Sequence, residues 1–447
     1  MSAARKPVSV LVTGATGLVG SHVVAHLAEL GHRVTALVRP TSDTRALEPL
    51  AGTGRIRIAR AELDDRAALL AAMAGADVVV HAAGMVDPLG RADEIRAVNV
   101  EGTRACLEAA EASGVTQFVH ISSLSVITGQ RDQFGVDERA PIRHSGETYA
   151  DSKADAEILV MRERPGQRLY VTALRPGFIY GPGERAWLPR LVESLAAGRV
   201  ALVDGGTKET NVIFVGNLCR AVALSLLNPR AYGQAFNLTD GQRVTKKELF
   251  DAVADGLGLP RPTRVVPARA ARLVCEAVST VAPFLPLATR RKLARFSRAA
   301  FRLVGVNQGF AIGKAERGLG YVDRIPFAEG MRRTLASHRD GPAAPPAVAG
   351  RPPNRFPLDG VRSGAAAFLV DYGQRHAHPV NAGLHVIGVP MAVAGVVQIC
   401  RKRVVSGASL FAGGYLLQYL GHRAQGNEVG EVILIRSLWR RLSGRGR

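Results

Sequence analysis

Tyr149 and Lys153, in the stretch TYADSK, are four residues apart, which puts a phenol and an ammonium on one face of a helix. An ammonium so placed can lower the phenol's pKa and hold a ribose, making the phenol a workable acid or base near neutral pH. Ser123, in HISSLSV at the carboxyl end of an expected strand, can donate a hydrogen bond to the same substrate oxygen. Upstream, TGATGLVG at 13–20 follows an expected strand and opens an expected helix. There Gly14 permits a tight turn, Gly17 lets the backbone approach a pyrophosphate, and Gly20 allows close helix packing, while the helix N-terminus faces the anion. Thr16 and Leu18 complete this candidate cofactor-binding loop. Taken singly, YxxxK is ordinarily a helix surface and a glycine pattern ordinarily a turn. Their order along the chain, glycine loop, strand-end serine, then YxxxK, is what points to a dinucleotide-dependent reaction.

At the end of the second expected strand, LVRP presents Arg39 where an NAD-specific site offers a carboxylate to the ribose 2′-hydroxyl. A guanidinium there pairs with a 2′-phosphate and favours NADP, although Asp43 lies near enough to keep NAD open. A second reactive set lies far downstream in DYGQRHAHPVNAGLHVIGVP, residues 371–390. His378, Asn381 and His385 share one helical face, His376 precedes them, and His422 follows a later apolar run. Two or three imidazoles with a carboxylate such as Asp371, Glu428 or Glu431 suit non-haem Fe(II) with open positions for oxygen chemistry. The plainer reading of each histidine alone is a hydrogen-bonded residue at an interface.

The elements that must position these groups follow from periodicity. SVLVTG, RVTALVR, RIRIARAEL, ADVVVHAA, QFVHISS and LYVTALRP are short apolar runs separated by Ala-rich helical stretches, the pattern of parallel β-α-β units. The expected fold is therefore α/β, a Rossmann-type doubly wound parallel sheet, followed by a smaller substrate lobe built mainly from residues 181–340. NVIFVGNLCRAVALSLL and QAFNLTDGQRVTKKELF are assigned to that lobe. Residues 289–304 place Leu293, Phe296, Ala300 and Leu303 at helical spacing, with Arg291, Lys292, Arg295, Arg298 and Arg302 around them. Such a basic amphipathic segment can lie in a bilayer interface or, more plainly, cover a core contact with a solvated face. A linker with six prolines at 341–357 separates the first domain, 1–340, from a C-terminal helical domain, 358–447. That last domain holds two uncharged 17-residue runs separated by Arg401, Lys402 and Arg403, read as a membrane-embedded hairpin with the basic turn on the cytoplasmic side.

Composition bounds the partners. Residues 1–260 carry 29 basic and 29 acidic residues, so the net charge of +20 arises wholly in the second half. There the basic residues alternate with Leu, Val, Ala and Phe rather than with base-stacking aromatics, which argues against nucleic acid and for anionic lipid headgroups. Four scattered cysteines without a CxxC pair argue against a disulfide framework. The N-terminal apolar run is only strand-length, so no cleaved export signal is expected.

With these motifs in hand, residues 8 to about 337 resemble the extended short-chain dehydrogenase/reductase superfamily. The resemblance implies that Tyr149 is the general acid/base, Lys153 its modulator and Ser123 the substrate-oxygen donor, with hydride passing between substrate carbon and nicotinamide. It further implies adenine contacts at Leu63 and Asp64, a cofactor loop through His81, Ala82, Ala83 and Gly84, a structural asparagine at Asn99, and Pro176 and Gly177 beside the nicotinamide. NVIFVGNLCRA, the basic segment, KAERGLGY and EGMRRT look like the 3β-hydroxysteroid dehydrogenase branch. Ile127, where many nucleotide-sugar epimerases have tyrosine, departs from the epimerase pattern.

The pattern DYxxxHxxPxN, HxxGxP, then QxxGH resembles the membrane-bound 2-hydroxy-fatty-acid dioxygenase family over about residues 355–440. That resemblance implies iron ligands at His376, His385 and His422, with His378 where asparagine is common and Gly426 where a glutamate is usual.

The expected protein is thus a fusion: an NAD(P)-dependent oxidoreductase for a hydrophobic, sterol-like or lipid substrate, joined to an iron-dependent lipid-oxidising tail. The alternatives are a nucleotide-sugar epimerase or dehydratase with the tail as anchor only, and a dihydroflavonol-reductase-like enzyme. Membrane lipids are expected partners, a homodimer is allowed, and the dehydrogenase domain is expected at a membrane facing the cytoplasm.

Overall fold

Each of the six apolar runs in the first 180 residues forms a strand of one sheet: β1 (Ser9–Thr13), β2 (Arg33–Val38), β3 (Ile56–Arg60), β4 (Val78–His81), β5 (Gln117–Ile121) and β6 (Tyr170–Pro176). A seventh strand, β7 (Gln234–Leu238), joins the edge in parallel with β6, giving the order β7-β6-β5-β4-β1-β2-β3, with every pair parallel. The computed structural model describes residues 7–86, 91–129, 131–162, 168–281, 293, 296–339, 391, 394, 398 and 404–425. The helices flanking the sheet are α1 (Leu18–Glu29), α2 (Arg66–Met73), α3 (Gly102–Ala112), α4 (Thr148–Met161) and α5 (Val215–Ser225).

Alternation along the strands sorts the core into two layers. Val10, Val12, Val78, Val80 and Val119 meet α1 and α5 on one face. Leu11, Val79 and Phe118 meet α2, α3 and the end of α4 on the other. Both faces are covered, which is why the strands read as nearly continuous apolar runs. Because β2 lies on one side of β1 and β4 on the other, the strand order reverses between β1 and β4. The crevice at their carboxyl ends is where an open α/β sheet binds its ligand.

Two expectations need correction. The stretch QAFNL is not part of the substrate lobe: it returns to the main sheet as β7, where Phe236 and Leu238 are fully buried against β6 and α5 packs beneath. Period-two patterning identifies a strand but not the sheet that receives it. Second, Arg302 does not belong to a lipid-facing set. It is 7% exposed and forms a 2.5 Å ion pair with Glu147. Its helix, α7 (Arg298–Gly305), packs on α6 (Ala268–Val281) and buries Phe301, while Leu303 is left 47% exposed. Spacing identifies a stripe on a helix without saying which side meets protein. Arg291, Lys292 and Arg295 lie outside the described residues.

The lobe beyond β6 is assembled from two-stranded pieces, Phe178–Tyr180 with Val212–Phe214, Ala201–Val203 with Arg264–Val266, and Glu209–Thr210 with Val244–Thr245. The chain separates into two compact units, Met1–Pro346 and Ala347–Arg447. In the second, α8 (Val404–Gln425) is one continuous helix. Among the described residues no helix is long and apolar enough to cross a membrane. Ser406, Ser409, Gly413, Gly414 and Gln418 dilute the apolar run of α8; the first run of the expected hairpin and the Pro-rich stretch 341–357 lie outside the described residues, apart from Met391, Ala394 and Gln398.

One buried carboxylate, Asp240 just past β7, fastens lobe to sheet. It accepts hydrogen bonds from Tyr180 Oη at 2.7 Å, Phe214 N at 2.8 Å and Asn217 Nδ2 at 2.8 Å. Removing it leaves the buried Phe214 N–H without an acceptor, Tyr180 with only a 3.4 Å contact to Phe327 O, and Asn217 Nδ2 with only Ile325 O. Asp240→Ala is expected to cost about 3 kcal/mol in urea unfolding of the full chain; a loss below about 1 kcal/mol would contradict this account.

Candidate active site

The groups singled out for hydride chemistry converge on the carboxyl edge of the sheet. Gly14 follows β1 with φ of +65°, and a Cβ there would sit 2.7 Å from the backbone of Ala83, which follows β4. Only glycine lets the two strand ends approach so closely. Gly17 N donates to Gly14 O at 3.0 Å, Gly17 caps α1, and Thr16 and Gly17 are exposed at its N-terminus. Gly20 is buried against Gly14, leaving no room for a side chain. Free backbone amides at a helix start, an open surface and a pinched turn fit the pyrophosphate of a dinucleotide.

Arg39 is exposed just beyond β2. Arg60, ending β3, donates to Pro40 O at 3.0 Å and so braces the loop after Arg39. Asp43, the carboxylate that kept NAD open, is held by Arg45 through contacts of 2.7 to 3.1 Å, and that pairing draws its pKa down to about 2. Leu63 and Asp64 follow β3, with Leu63 half-buried against Gly102 and Asp64 exposed. Gly177 follows β6 and leaves no room for a Cβ beside the Asn211 carbonyl, which brings the lobe against Pro176.

The reacting pair comes from β5 and α4. Ser123 follows β5, and its hydroxyl lies close enough to the Tyr149 phenol, near the start of α4, to act on its titration. Burial raises the phenol's pKa above its ordinary value, and the Ser123 contact opposes that. The spacing suggested that Lys153 lowers the phenol's pKa. Instead Lys153 is 6% exposed and donates from Nζ to Ile121 O at 2.5 Å. Burial draws its pKa down to about 8, with Glu157 opposing. In this arrangement the phenol stays protonated through neutral pH and the adjacent serine shares its oxygen's field.

Beneath the pair runs a chain of buried polar contacts that the sequence reading missed. Asn99, in a π-helical turn at Ala97–Glu101, holds Met85 through both its amide atoms and donates to Ser152 Oγ at 2.9 Å. Ser152 Oγ donates to Tyr149 O at 2.8 Å. Thr103 donates to Asn99 O, so its oxygen accepts from His81 Nε2 at 2.9 Å, and His81 Nδ1 then accepts from Thr13 at 2.9 Å. That fixes one neutral tautomer, consistent with burial pulling the His81 pKa down to about 3. His81 had been read only as part of a loop, and the one sequence signal for its role was its position ending a strand beside the glycine turn.

Of the proposed iron ligands, His422 falls on α8, whereas His376 and His385 lie outside the described residues. Among the described residues no three His, Cys, Asp or Glu side chains gather into a metal site.

Residues 11–268 match the model of the 3-beta hydroxysteroid dehydrogenase/isomerase family. The chain belongs to that family. It is an NAD(P)-dependent oxidoreductase of the short-chain dehydrogenase/reductase type, in keeping with its relatives. It is 31% identical over 335 residues to a 2-alkyl-3-oxoalkanoate reductase of Stenotrophomonas maltophilia, covering 73% of this chain and 98% of that one. It is 30% identical over 333 residues to a 3 beta-hydroxysteroid dehydrogenase/Delta 5-->4-isomerase of Mycobacterium tuberculosis, covering 70% and 85%. Among solved structures, the dTDP-glucose 4,6-dehydratase DesIV of Streptomyces venezuelae with NAD bound is similar at a TM-score of 0.60 and 25% identity, over 74% of this chain and 97% of that one. Residues 363–428, outside the dehydrogenase match, match the model described as 2-hydroxy-palmitic acid dioxygenase Mpo1-like.

Tyr149→Phe in this dehydrogenase-family chain is expected to lower kcat by roughly 10²- to 10⁴-fold with an unchanged melting temperature. The ammonium of Lys153 is lost as pH rises through about 8, so kcat/KM for reduction is expected to decline above that pH. A profile flat to about pH 9.5 would refute this assignment of the limb.

Proposed function

We propose that the first unit reduces a carbonyl carbon, or oxidises the corresponding hydroxyl, on a hydrophobic substrate, with NADP(H) preferred. The juxtaposition of the Ser123 hydroxyl and the Tyr149 phenol carries the proposal. Both hydroxyls are set to hold one substrate oxygen, and a phenol kept neutral by burial gives its proton to that oxygen as charge develops. A bound nicotinamide supplies or takes the hydride. Lys153 holds the ribose side of the site and keeps a positive charge close to the oxygen.

The substrate class rests on the relatives, named as a 2-alkyl-3-oxoalkanoate reductase and a 3 beta-hydroxysteroid dehydrogenase/Delta 5-->4-isomerase. Ile127, 2% exposed and packed with Leu124, Val126 and Ala154, stands where many nucleotide-sugar epimerases carry tyrosine and disfavours that alternative. The preference for NADP rests on Arg39, on Arg60 bracing its loop, and on Asp43 being engaged by Arg45. The test is NAD(P)H turnover by the full chain against long-chain 3-oxoacids, 3β-hydroxysteroids and nucleotide sugars. Activity on either of the first two classes is expected; activity on nucleotide sugars alone would overturn the reading. Arg39→Ala is expected to raise KM for NADPH by on the order of tenfold and leave KM for NADH nearly unchanged. Equal effects on both cofactors would rule out a 2′-phosphate contact.

The tail is proposed as a lipid-directed domain that holds iron through His376, His385 and His422, with its displaced acids Glu428 and Glu431 in place of the glutamate usual at Gly426. Membrane association is proposed with it, the dehydrogenase unit lying on the cytoplasmic side. Leu273 at 69% and Val274 at 50% exposure on α6, with Leu303 on α7, support a lipid-facing lobe surface. Stoichiometric iron in the full chain, lost in His385→Ala, is the expected result. Iron absent from the wild type would leave the tail as an anchor alone.

A further inference from the structure

Glu157 lies on α4, two turns beyond Tyr149 and one beyond Lys153, so the three share the face that α4 turns to the sheet. It is fully buried. One oxygen accepts from Arg175 Nε at 2.9 Å and Nη2 at 2.5 Å, and the other from Ser122 Oγ at 2.5 Å and again from Arg175 Nε at 3.1 Å. Ser122 sits between Ile121, whose carbonyl holds Lys153, and Ser123, whose hydroxyl lies beside Tyr149. Arg175 immediately precedes Pro176 and Gly177 on β6. One carboxylate thus touches the helix bearing Tyr149 and Lys153, the strand end bearing Ser123, and the strand end bearing the segment assigned to the nicotinamide.

We propose that Glu157 is a positioning residue: its carboxylate pins α4 to the ends of β5 and β6, fixing Tyr149 and Lys153 against Ser123 and Pro176. This rests on the reading of Tyr149 and Lys153 as the reacting pair. A rigid cross-brace of this kind matters because displacements of about 1 Å among reacting groups cost on the order of 10²-fold in rate. Glu157 also acts on Lys153 electrically. The titratable groups acting on that ammonium are Glu157 on its own helix, His81 on β4 and His120 on β5, with Arg175 on β6 behind Glu157. Both imidazoles are neutral by burial and lie close enough to feel the lysine's charge. The negative charge that supports the ammonium is that of Glu157. A merely structural ion pair would stabilise the fold without moving the titration of Lys153.

The test uses the full chain with Glu157→Gln, which keeps size and one acceptor oxygen but removes the charge. Trace labelling with acetic anhydride across pH, read on the Lys153 peptide by mass spectrometry, follows the ammonium without any substrate. Its midpoint is expected to move down by roughly one pH unit, and NADPH-dependent kcat to fall by on the order of tenfold. An unmoved midpoint overturns the proposal, whether or not the melting temperature drops. If the single variant does not fold because Arg175 is left unpaired, Glu157→Gln with Arg175→Met removes both charges, and the same shift is expected; failure of both to fold makes the carboxylate structural only and also overturns it. If Tyr149→Phe retains turnover, the catalytic reading fails on its own, while the labelling still reports on Glu157.

Discussion

The helix that bears Tyr149, to which the chemistry is assigned, buries Lys153 and Glu157 on its inner face, and that burial is the constraint from which the rest follows. Tyr149, Lys153 and Glu157 on α4 all turn toward the sheet, where an ammonium and a carboxylate cannot remain charged unless partners replace their water. The partners come from strand ends: the Ile121 carbonyl for Lys153, Ser122 and Arg175 for Glu157, and Ser123 for Tyr149. Satisfying a buried polar face therefore also sets the site's geometry. The accounting is nearly complete but not fully so. Among the described residues, both ring nitrogens of His120 and Nη1 of Arg175 have no hydrogen-bond partner.

The same logic explains why the glycine turn and the catalytic helix are a single assembly although 130 residues separate them. From Thr13 beside Gly14, contacts pass through His81, Thr103, Asn99 and Ser152 to the backbone of Tyr149. The links cross from β1 to β4, from β4 to α3 with the π-helical turn before it, and from that turn to α4. A shift at the cofactor turn would have to break a buried hydrogen bond before it reached α4, so the cofactor site and the acid are positioned by one network.

The strands, the glycine turn and the YxxxK helix could be read from the sequence because each is signalled locally, by period two, by glycine spacing, or by an i, i+4 pair. What could not be read depends on distant partners. QAFNL has the composition of a strand, but only the neighbouring β6 makes it the edge of the main sheet. Arg302 looks like its basic neighbours in sequence until the fold brings Glu147 to it. Glu157 continues the spacing of Tyr149 and Lys153 by one more turn, yet an acidic residue at that spacing is ordinarily a solvated surface group. Its importance arises from Arg175, eighteen residues on and across a strand crossover.

Arg302 also bears on how a substrate lobe can influence the acid at all. Its partner Glu147 is the residue that begins α4, two positions before Tyr149. Helix α7 contributes Arg302 from one side and leaves Leu303 on the outer side, so one short helix meets both the catalytic helix and the apolar surface proposed to face lipid. The pair is largely removed from water, so separating it would expose neither charge to adequate solvation, and α7 and the start of α4 are best described as moving together. The lobe, often the variable part of such an enzyme, is here coupled by charge to the part that does the chemistry.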